Sequence, residues 1–362
     1  MVNTDKPGKP RKVTWNAKSF TKFTLLLIVC SLILAVPLVR FNLSWSMNVS
    51  YRLYGDFTRA FHLHSPTMVS FDKNGIPVND TGYQNGTYLG NQSNPLTIAT
   101  QSISYYTEYQ KNHDAKTEES FFSCIVWLEE NGLDKGDYDL WGYNFPLSTY
   151  NASAPWYSAM AQARIMVAFQ KAYELTGEEK YSQFSVKAMR ALEVPIENGG
   201  VTRVDSVNGG KWYEEVAGGG SPPSYILNGF IFSLLDLNEY YVETGSTEAK
   251  SLFDDGIIEL KIHLQDYDTG HWTYYDRIGH LAYDYHYVHI DQMKRLFQIT
   301  GDTEFSRYEK HWASYFPINP LWARQRFAAY LFDSVLIFLG LVVIFSLYKL
   351  YELKIRKHAL KD

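Results

Sequence analysis

Residues 210–216 read Gly-Lys-Trp-Tyr-Glu-Glu-Val and place two adjacent carboxylates beside two aromatic rings. Because side chains alternate in direction along an extended chain, only one of Glu214 and Glu215 can face a cleft. Glutamates are usually solvated. The flanking Trp212 and Tyr213, however, are surroundings that could raise a carboxyl pKa towards the working range of a general base. The segment therefore contains a candidate proton acceptor.

A second group of reactive side chains lies where a linker leads into an expected helix. His286 and His289 in this group are three residues apart, a spacing that could hold zinc with a third ligand. No HExxH-type companion is present, so we expect no metal there. Asp284 is expected to cap the helix. In chain order the group is Tyr275, Asp276, Arg277, Tyr283, Asp284, Tyr285, His286, Tyr287 and His289.

The elements that must position these groups follow a helical repeat. The stretches AYELTGEEKYSQF, YYVETGSTEAKSLF and LFQITGDTEFSRY share a helix end, a Thr-Gly pair and a polar start to a second helix. Glycine supplies the left-handed cap of the first helix, and the polar residue caps the next. About four such hairpins, one without the signature, predict a mainly α fold: an α/α toroid, or incomplete barrel, with short β-rich linkers. In that architecture the linkers, here the unusually long 198–222 and 267–284, gather at one mouth of the ring.

Two apolar segments near the ends are each long enough to cross a bilayer. Basic residues precede the first segment and follow the second. This pattern predicts that both termini are cytoplasmic and that the region between the segments is external or luminal, at a cell membrane or a Golgi-type membrane. A cleaved signal peptide is the alternative for the first segment, and a buried core helix for the second. The predicted division is a cytoplasmic basic tail (1–22), a transmembrane helix (23–40), a small β-rich or irregular segment (41–95), the toroid (96–318), a transmembrane helix (327–348) and a cytoplasmic basic tail (349–362).

Composition agrees with an external middle region. Residues 41–326 carry 35 acidic and 22 basic side chains, a balance of −13 that argues against nucleic acid as a partner. The two cysteines, Cys30 and Cys124, form neither a disulfide pattern nor a metal-ligand pattern. Six glycosylation sequons all lie between the apolar segments, at Asn42, Asn48, Asn79, Asn85, Asn91 and Asn151.

Several motifs in sequence order resemble the C-terminal catalytic domain of the D-glucuronyl C5-epimerases, which invert glucuronate to iduronate in heparan-type glycans. The resemblance covers residues 90–318. The matching segments are PWYSAMAQ (155–162), WYEE (212–215), PPSYILNGFIFSLLDL (222–237), LQDYDTG with TYYD (264–276), and DYHYVHIDQ (284–292).

The resemblance implies a toroid with a catalytic cleft and assigns roles to individual residues. Glu215, at the end of WYEE, is the implied catalytic carboxylate, and Tyr275 and Tyr285 are the implied catalytic tyrosines. Such proton chemistry requires no cofactor, although a structural divalent cation stays compatible with it. The implied partner is a glycan containing uronic acid, and the oligomeric state is left open, with a homodimer as one option. The residues expected to bind substrate are Arg277, Trp212, Tyr213, Tyr157, Asn228 and His286.

Epimerisation at C5 removes a proton α to a carboxylate and returns one to the opposite face. It therefore needs two acid/base groups and donors that stabilise the enolate. Glu215 suits one face and Tyr285 the other, while Tyr275 would donate to the developing charge and Arg277 would clamp the substrate carboxylate.

The chain departs from the family pattern at three places. Val216 stands where a tyrosine usually follows WYEE, and Arg277 comes one residue earlier than its counterpart in relatives. The β-rich domains ahead of the catalytic domain are reduced to residues 41–95, and the second membrane segment has no counterpart among Golgi relatives.

Two alternatives to the epimerase stay open at this point. A uronate lyase would form the same carbanion and then expel the 4-O-linked sugar. A non-enzymatic glycan-binding or assembly protein could use the same fold. A glycosidase is disfavoured, because Glu214 and Glu215 are too close in sequence to flank one glycosidic bond.

Overall fold

Helices make up most of the chain in the computed structural model, which describes residues 17–63, 67–205, 209–282, 285–315 and 324–358. Two compact units divide it: Met1–Tyr51 with Pro320–Asp362, and Arg52–Asn319. The helices within the described ranges are α1 (Ala17–Ala60), α2 (Pro95–Asn112), α3 (Ala115–Asn131), α4 (Ala159–Thr176), α5 (Glu179–Arg190), α6 (Leu227–Thr244), α7 (Thr247–His263), α8 (His286–Thr300), α9 (Thr303–Ala313) and α10 (Arg324–His358).

The first unit contains the two apolar helix segments. Thr21–Leu38 of α1 and Tyr330–Glu352 of α10 are each long and apolar enough to cross a membrane. They are antiparallel neighbours: the Phe23 and Phe345 rings lie 4.3 Å apart, and the Tyr330 hydroxyl donates to the Leu32 carbonyl.

The expectation of β or irregular structure from residue 41 is wrong for its first part, since α1 continues to Ala60. Extending an existing helix costs far less than starting one, and residues 41–54 contain neither proline nor glycine. The strands of this segment are confined to residues 68–92. They are β1 (Met68–Phe71), β2 (Pro77–Asp80), β3 (Tyr83–Gln84), β4 (Thr87–Tyr88) and β5 (Asn91–Gln92).

The second unit contains four helical hairpins, as predicted: α2–α3, α4–α5, α6–α7 and α8–α9. The first helices form a continuous row, in which α2 packs on α4, α4 on α6, and α6 on α8. The second helix of each hairpin packs on the first. Helices α4 and α6 bury most of their residues, because they have neighbours on both sides in the row. The main core lies along this row.

The Thr-Gly pairs end helices as predicted. Gly177, Gly245 and Gly301 all adopt the left-handed conformation and donate back to the last turn of α4, α6 and α8. Behind the second and third pairs, Ser246 and Asp302 accept a backbone N–H and cap the next helix. Glu178 behind the first pair makes no side-chain cap bond.

The linkers between the helical hairpins contain short strands. They are β6 (Leu133–Asp134), β7 (Asp139–Leu140), β8 (Gly142–Tyr143), β9 (Trp156–Tyr157), β10 (Thr202–Val204), β11 (Lys211–Tyr213) and β12 (Ala217–Gly218). Strands β10 and β11 form an antiparallel hairpin that pairs Arg203 with Trp212, and β12 joins β9 and β8 in a three-stranded sheet. Glu214 and Glu215 therefore lie between two strands that belong to different sheets.

Candidate functional site

Glu214 is a fully buried carboxylate whose hydrogen-bonding capacity is satisfied. The Arg203 Nε donates to Oε1 at 3.0 Å, the Ser224 hydroxyl donates to Oε2 at 2.9 Å, and the Tyr225 N–H donates to Oε2 at 3.1 Å. Burial raises the pKa of Glu214, and Arg203 opposes that rise. These contacts fasten β10 and the loop before α6 to the segment between β11 and β12, so Glu214 has a structural role.

Glu215 points elsewhere, as the alternation of neighbours predicts. Its Oε2 is buried and has no hydrogen-bond partner among the described residues. Burial and the neighbouring charge of Glu214 raise the pKa of Glu215 to about 7, against a hydrogen bond from Tyr275. A buried polar atom without a partner costs free energy, so its retention suggests a use in chemistry.

The Glu215 carboxylate packs against the first turn of α6, in the space beside Gly229. A Cβ built on Gly229 would lie 1.9 Å from Glu215 Oε2, far inside contact distance. Only glycine at this position leaves room for the carboxylate beside the helix. The site therefore depends on a residue that carries no functional group.

Tyr275 lies next to Glu215, half-buried. Burial and the charge of Glu215 raise its pKa well above the ordinary value, and a hydrogen bond from the Asn228 side chain opposes the rise. Asn228 itself is buried at the start of α6, where its carbonyl accepts from the Gln292 side chain at 2.9 Å. The phenol is thus kept protonated and can donate.

Tyr285 completes a contiguous group. Its ring centroid is 4.9 Å from that of Tyr275, and 42% of the residue is exposed, so it is open to a ligand. It is the residue before α8, whereas Asp284, the expected cap, lies outside the described residues. The structure therefore brings Glu215, Tyr275 and Tyr285 together from two linkers that are far apart in sequence.

Arg277 is partly exposed near the same loop. Its guanidinium lies 4.5 Å from the centroid of the Tyr225 ring, and its Nε is 3.4 Å from an Asp266 oxygen. Its backbone N–H donates to the Ser224 carbonyl at 3.1 Å. The cation is accordingly held at a fixed position with one partly exposed carboxylate as its partner.

Two expected substrate contacts are corrected by the structure. Trp212 is buried and stacks on Phe230, with ring centroids 3.9 Å apart. Tyr213 is fully buried, and its hydroxyl donates to the Leu252 carbonyl at 2.6 Å. Both rings belong to the core between β11, α6 and α7, because burying such large apolar surfaces outweighs leaving them beside a polar ligand.

His286 is also corrected as a substrate contact. Its Nδ1 lies 2.9 Å from Thr273 Oγ1 and its Nε2 lies 3.2 Å from the Trp312 carbonyl, so both ring nitrogens are engaged. His289 shares the same hydroxyl at 3.0 Å. Burial lowers the pKa of His286 to about 4 and that of His289 to about 3. The pair is a neutral packing element, and no third ligand joins it among the described residues.

Tyr157, another expected substrate contact, lines a cleft that does not include Glu215. It is half-buried and lines a cleft of about 450 Å³ together with Asn91, Gly142 and Asn144, among other residues. Glu215 does not line this cleft.

Sequence reasoning missed a tyrosine layer behind Glu215. Tyr143 and Tyr150 are buried, and burial raises the pKa of both. Asp276 adds to the rise at Tyr150, and the charge of Glu215 contributes to both after these larger effects. The Tyr150 hydroxyl donates to Asp276 Oδ2 at 2.7 Å, and the same oxygen lies 2.5 Å from Nδ1 of His280. Their stretch, WGYNFPLSTY, is dense in aromatics but carries no spacing that points to residues 215 or 276.

A hairpin unit with a buried carboxylate and two tyrosines at its linkers agrees with the comparison to known families. Residues 134–314 match the family described as D-glucuronyl C5-epimerase C-terminus. The match covers half of the chain, and the protein belongs to this family.

Individual relatives extend the comparison. An uncharacterised protein of Methanocaldococcus jannaschii is 29% identical over 299 residues, which cover 78% of this chain and 96% of that protein. A D-glucuronyl C5-epimerase of Caenorhabditis elegans is 30% identical over 223 residues, which cover 54% of this chain and 35% of the nematode enzyme. This chain thus spans about a third of that enzyme's length. A solved cellobiose 2-epimerase from Bacillus thermoamylovorans has a TM-score of 0.47 at 7% identity, covering 73% of this chain and 77% of that one.

Proposed function

We propose that this protein is a membrane-anchored C5-epimerase that converts D-glucuronate to L-iduronate residues in an external glycan. The observation that carries the proposal is Glu215: a carboxylate with one buried, unpartnered oxygen and a pKa raised to about 7, beside a phenol that can donate. A base that removes the proton at C5 of a uronate needs this combination, because it must be free of other cations and half-ionised near neutral pH.

The contacts suggest a separate role for each of four side chains. Glu215 removes the C5 proton of glucuronate, and Tyr275, kept protonated by burial and by Glu215, donates to the substrate carboxylate as the enolate forms. Tyr285 delivers a proton to the opposite face. Arg277 binds the substrate carboxylate, because its guanidinium is held by Tyr225 and Asp266 and is still partly exposed.

The replacement of the family tyrosine by Val216 fits the same scheme. Val216 is buried in a small cluster with Tyr143, Tyr150 and Ile226, against which Tyr275 packs. The valine therefore belongs to the cluster that supports Tyr275, and the neighbouring tyrosines keep this cluster aromatic.

The proposed scaffold is an incomplete α/α toroid. The continuous row of α2, α4, α6 and α8, each backed by the second helix of its hairpin, supports it. Glu215, Tyr275 and Tyr285 all lie on linkers or helix starts, where loops of this architecture meet.

The reaction is tested by incubating the purified chain with an unsulfated glucuronate polymer in D₂O and following C5 by NMR. Epimerase activity predicts deuterium at C5 and the appearance of iduronate signals. An unsaturated, UV-absorbing chain end would instead identify a lyase. A bound polymer without any deuterium at C5 would identify a glycan-binding protein.

We further propose that both apolar helices cross the membrane and leave both termini on the cytoplasmic side. Their antiparallel pairing and the basic residues outside each segment support this. A tag at either terminus should resist protease in sealed cells, while the second unit is cleaved. Removal of a C-terminal tag from sealed cells would contradict the arrangement.

Glycosylation at the sequons would show independently that the second unit is on the external side. Asn85, Asn91 and Asn151 are exposed and can carry a glycan, whereas Asn79 is 5% exposed and is not accessible in the folded unit. Glycosidase treatment of protein made in a glycosylating host should therefore shift the mass of wild type, and Asn79→Gln should leave that shift unchanged.

A further inference from the structure

A cluster outside the proposed catalytic group brings together three side chains that bind metals. Suitable donor atoms of Asp205, Glu259 and His263 all lie within 4.8 Å of one another. The Nε2 of His263 is 3.1 Å from Glu259 Oε1, a separation typical of two neighbouring ligands on one ion.

Glu259 supplies an independent sign of a missing cation. Its side chain is only 2% exposed, and its Oε2 is buried with no hydrogen-bond partner among the described residues. A buried carboxylate normally has a lysine, an arginine or a metal beside it. Among the residues that the structure describes, Glu259 forms an ion pair only with His263.

The other nitrogen of His263 has the partner that metal-ligating histidines usually have. Its Nδ1 lies 3.0 Å from an Asp266 oxygen and its Nε2 lies 3.1 Å from Glu259. With Nδ1–H donated to Asp266, the lone pair of Nε2 would be available to an ion bound between His263 and Glu259. Metal-bound imidazoles are commonly oriented in this way by a carboxylate. Asp266 in turn holds Arg277, at 3.4 Å from the Nε.

From these contacts we infer that Asp205, Glu259 and His263 bind one divalent transition-metal ion, such as Zn²⁺ or Mn²⁺. One imidazole with two carboxylates suits such an ion, while Ca²⁺ and Mg²⁺ prefer oxygen ligands throughout. Glu215, Tyr275 and Tyr285 do not belong to the cluster, so the role of the ion would be positioning.

The cluster lies between the β10–β11 hairpin and α7, so a bound ion would link these two elements. Asp205 closes the β10–β11 hairpin, accepting from Gly209 and donating its own N–H to Gly210. Glu259 and His263 lie on the last turns of α7. β11 already docks on α7 through the Lys211–Asp255 ion pair at 3.0 Å. The ion adds a link between α7 and the hairpin that leads into Glu214 and Glu215.

The test measures metal content rather than activity, so its failure is distinguishable from failure of the epimerase proposal. The full chain in detergent is stripped with a chelator and dialysed against Zn²⁺, Mn²⁺ or Ca²⁺, and bound metal is counted by mass spectrometry. We expect about one Zn²⁺ or Mn²⁺ per chain and a higher melting temperature with the ion. His263→Gln and Glu259→Gln should lose this binding.

Two further variants sharpen the test. His311→Gln removes an exposed histidine that pairs with Asp268, outside the cluster, and should keep the metal. Asp266→Asn should weaken affinity about 10–100-fold, the effect of losing an orienting carboxylate. A wild-type chain without stoichiometric Zn²⁺ or Mn²⁺ overturns the inference without any variant, and so does full binding by His263→Gln.

Discussion

Two carboxylate regions lie on either side of a single peptide bond. The Glu214 region (Arg203, Ser224 and Tyr225) supplies a cation and two further donors to a buried carboxylate. The Glu215 region (Gly229, Asn228 and Tyr275) supplies space for the carboxylate and leaves one of its oxygens without a partner. Burial and the charge of Glu214 raise the pKa of Glu215 to about 7, against a hydrogen bond from Tyr275.

The difference shows how the same residue type takes two roles. A carboxylate whose oxygens are all occupied stabilises the fold and cannot exchange a proton without breaking those contacts. A carboxylate with a free oxygen and a raised pKa is available for proton transfer.

Outside the two glutamates, the largest effect is expected at Tyr285, whose ring packs on Tyr275 of the Glu215 region. Tyr285→Phe keeps the ring that packs on Tyr275 but removes the hydroxyl that returns the proton. Net conversion of glucuronate to iduronate should fall about 10²–10⁴-fold. Slow deuterium incorporation into one epimer should persist, because Glu215 can still remove and return a proton on its own side.

The matched control for that variant is Tyr287→Phe, two residues further along on α8. It should convert at close to the wild-type rate. If Tyr285→Phe itself interconverts the epimers at the wild-type rate, Tyr285 is not a base, and Tyr275 becomes the next candidate.

A smaller effect is expected from filling the space beside Glu215. Gly229→Ala puts a methyl group where Glu215 Oε2 lies, so the carboxylate must move by about 1 Å or more, which can cost about 10²-fold in rate. Gly245→Ala, at the other end of α6, is the control. It strains a residue at φ +74 and lowers the melting temperature, but has open space around the new methyl group. A Gly229→Ala enzyme with the wild-type rate would show that Glu215 is not held where the structure places it.

The pH dependence follows from the raised pKa of Glu215. As a base, Glu215 must be ionised, so kcat/KM should fall about tenfold per pH unit below about 7. A rate that stays constant from pH 7 down to pH 5 would contradict the role, because a carboxyl with that pKa is then mostly protonated.

The smallest effect concerns stability, and the two carboxylates should differ in sign. Glu214→Gln removes the counter-charge of Arg203 and should cost about 1–3 kcal/mol, seen as a lower melting temperature. For Glu215 the folded pKa is above the unfolded value, so folding is favoured at low pH and that contribution is lost as pH rises through about 7. Glu215→Gln should therefore melt above wild type at pH 8 and closer to it at pH 5.

Much of the fold could be predicted because it is encoded locally. The Thr-Gly pairs and apolar spacing specify helix ends and faces over a few residues. Three of the four hairpins carry a Thr-Gly pair, and the first was predicted without one. The alternation of Glu214 and Glu215 is equally local. The continuation of α1 to Ala60 was not predicted, because the Asn, Gly, Ser and Thr content of residues 41–95 favours irregular structure, whereas extending an existing helix costs little free energy.

The rest of the site depends on contacts between distant segments. Nothing in Trp212 or Tyr213 distinguishes a ring that stacks on a sugar from one that stacks on Phe230. The same is true of His286, whose partners Thr273 and Trp312 come from two other segments. The sequence around Gly229 does not show why a glycine is needed there, because the reason is a carboxylate 14 residues earlier in the chain.

The most direct test of the central claim compares Glu215→Gln with Glu214→Gln in one assay: deuterium incorporation at C5 of an unsulfated glucuronate polymer, read by NMR. Both variants remove one charge and keep the side-chain shape, so they differ only in which carboxylate is lost. If Glu215 is the base, Glu215→Gln abolishes exchange, while Glu214→Gln keeps a substantial fraction of it at temperatures where it is folded. Equal loss of exchange in the two folded variants, or exchange that survives in Glu215→Gln, would contradict the assignment of Glu215 as the base.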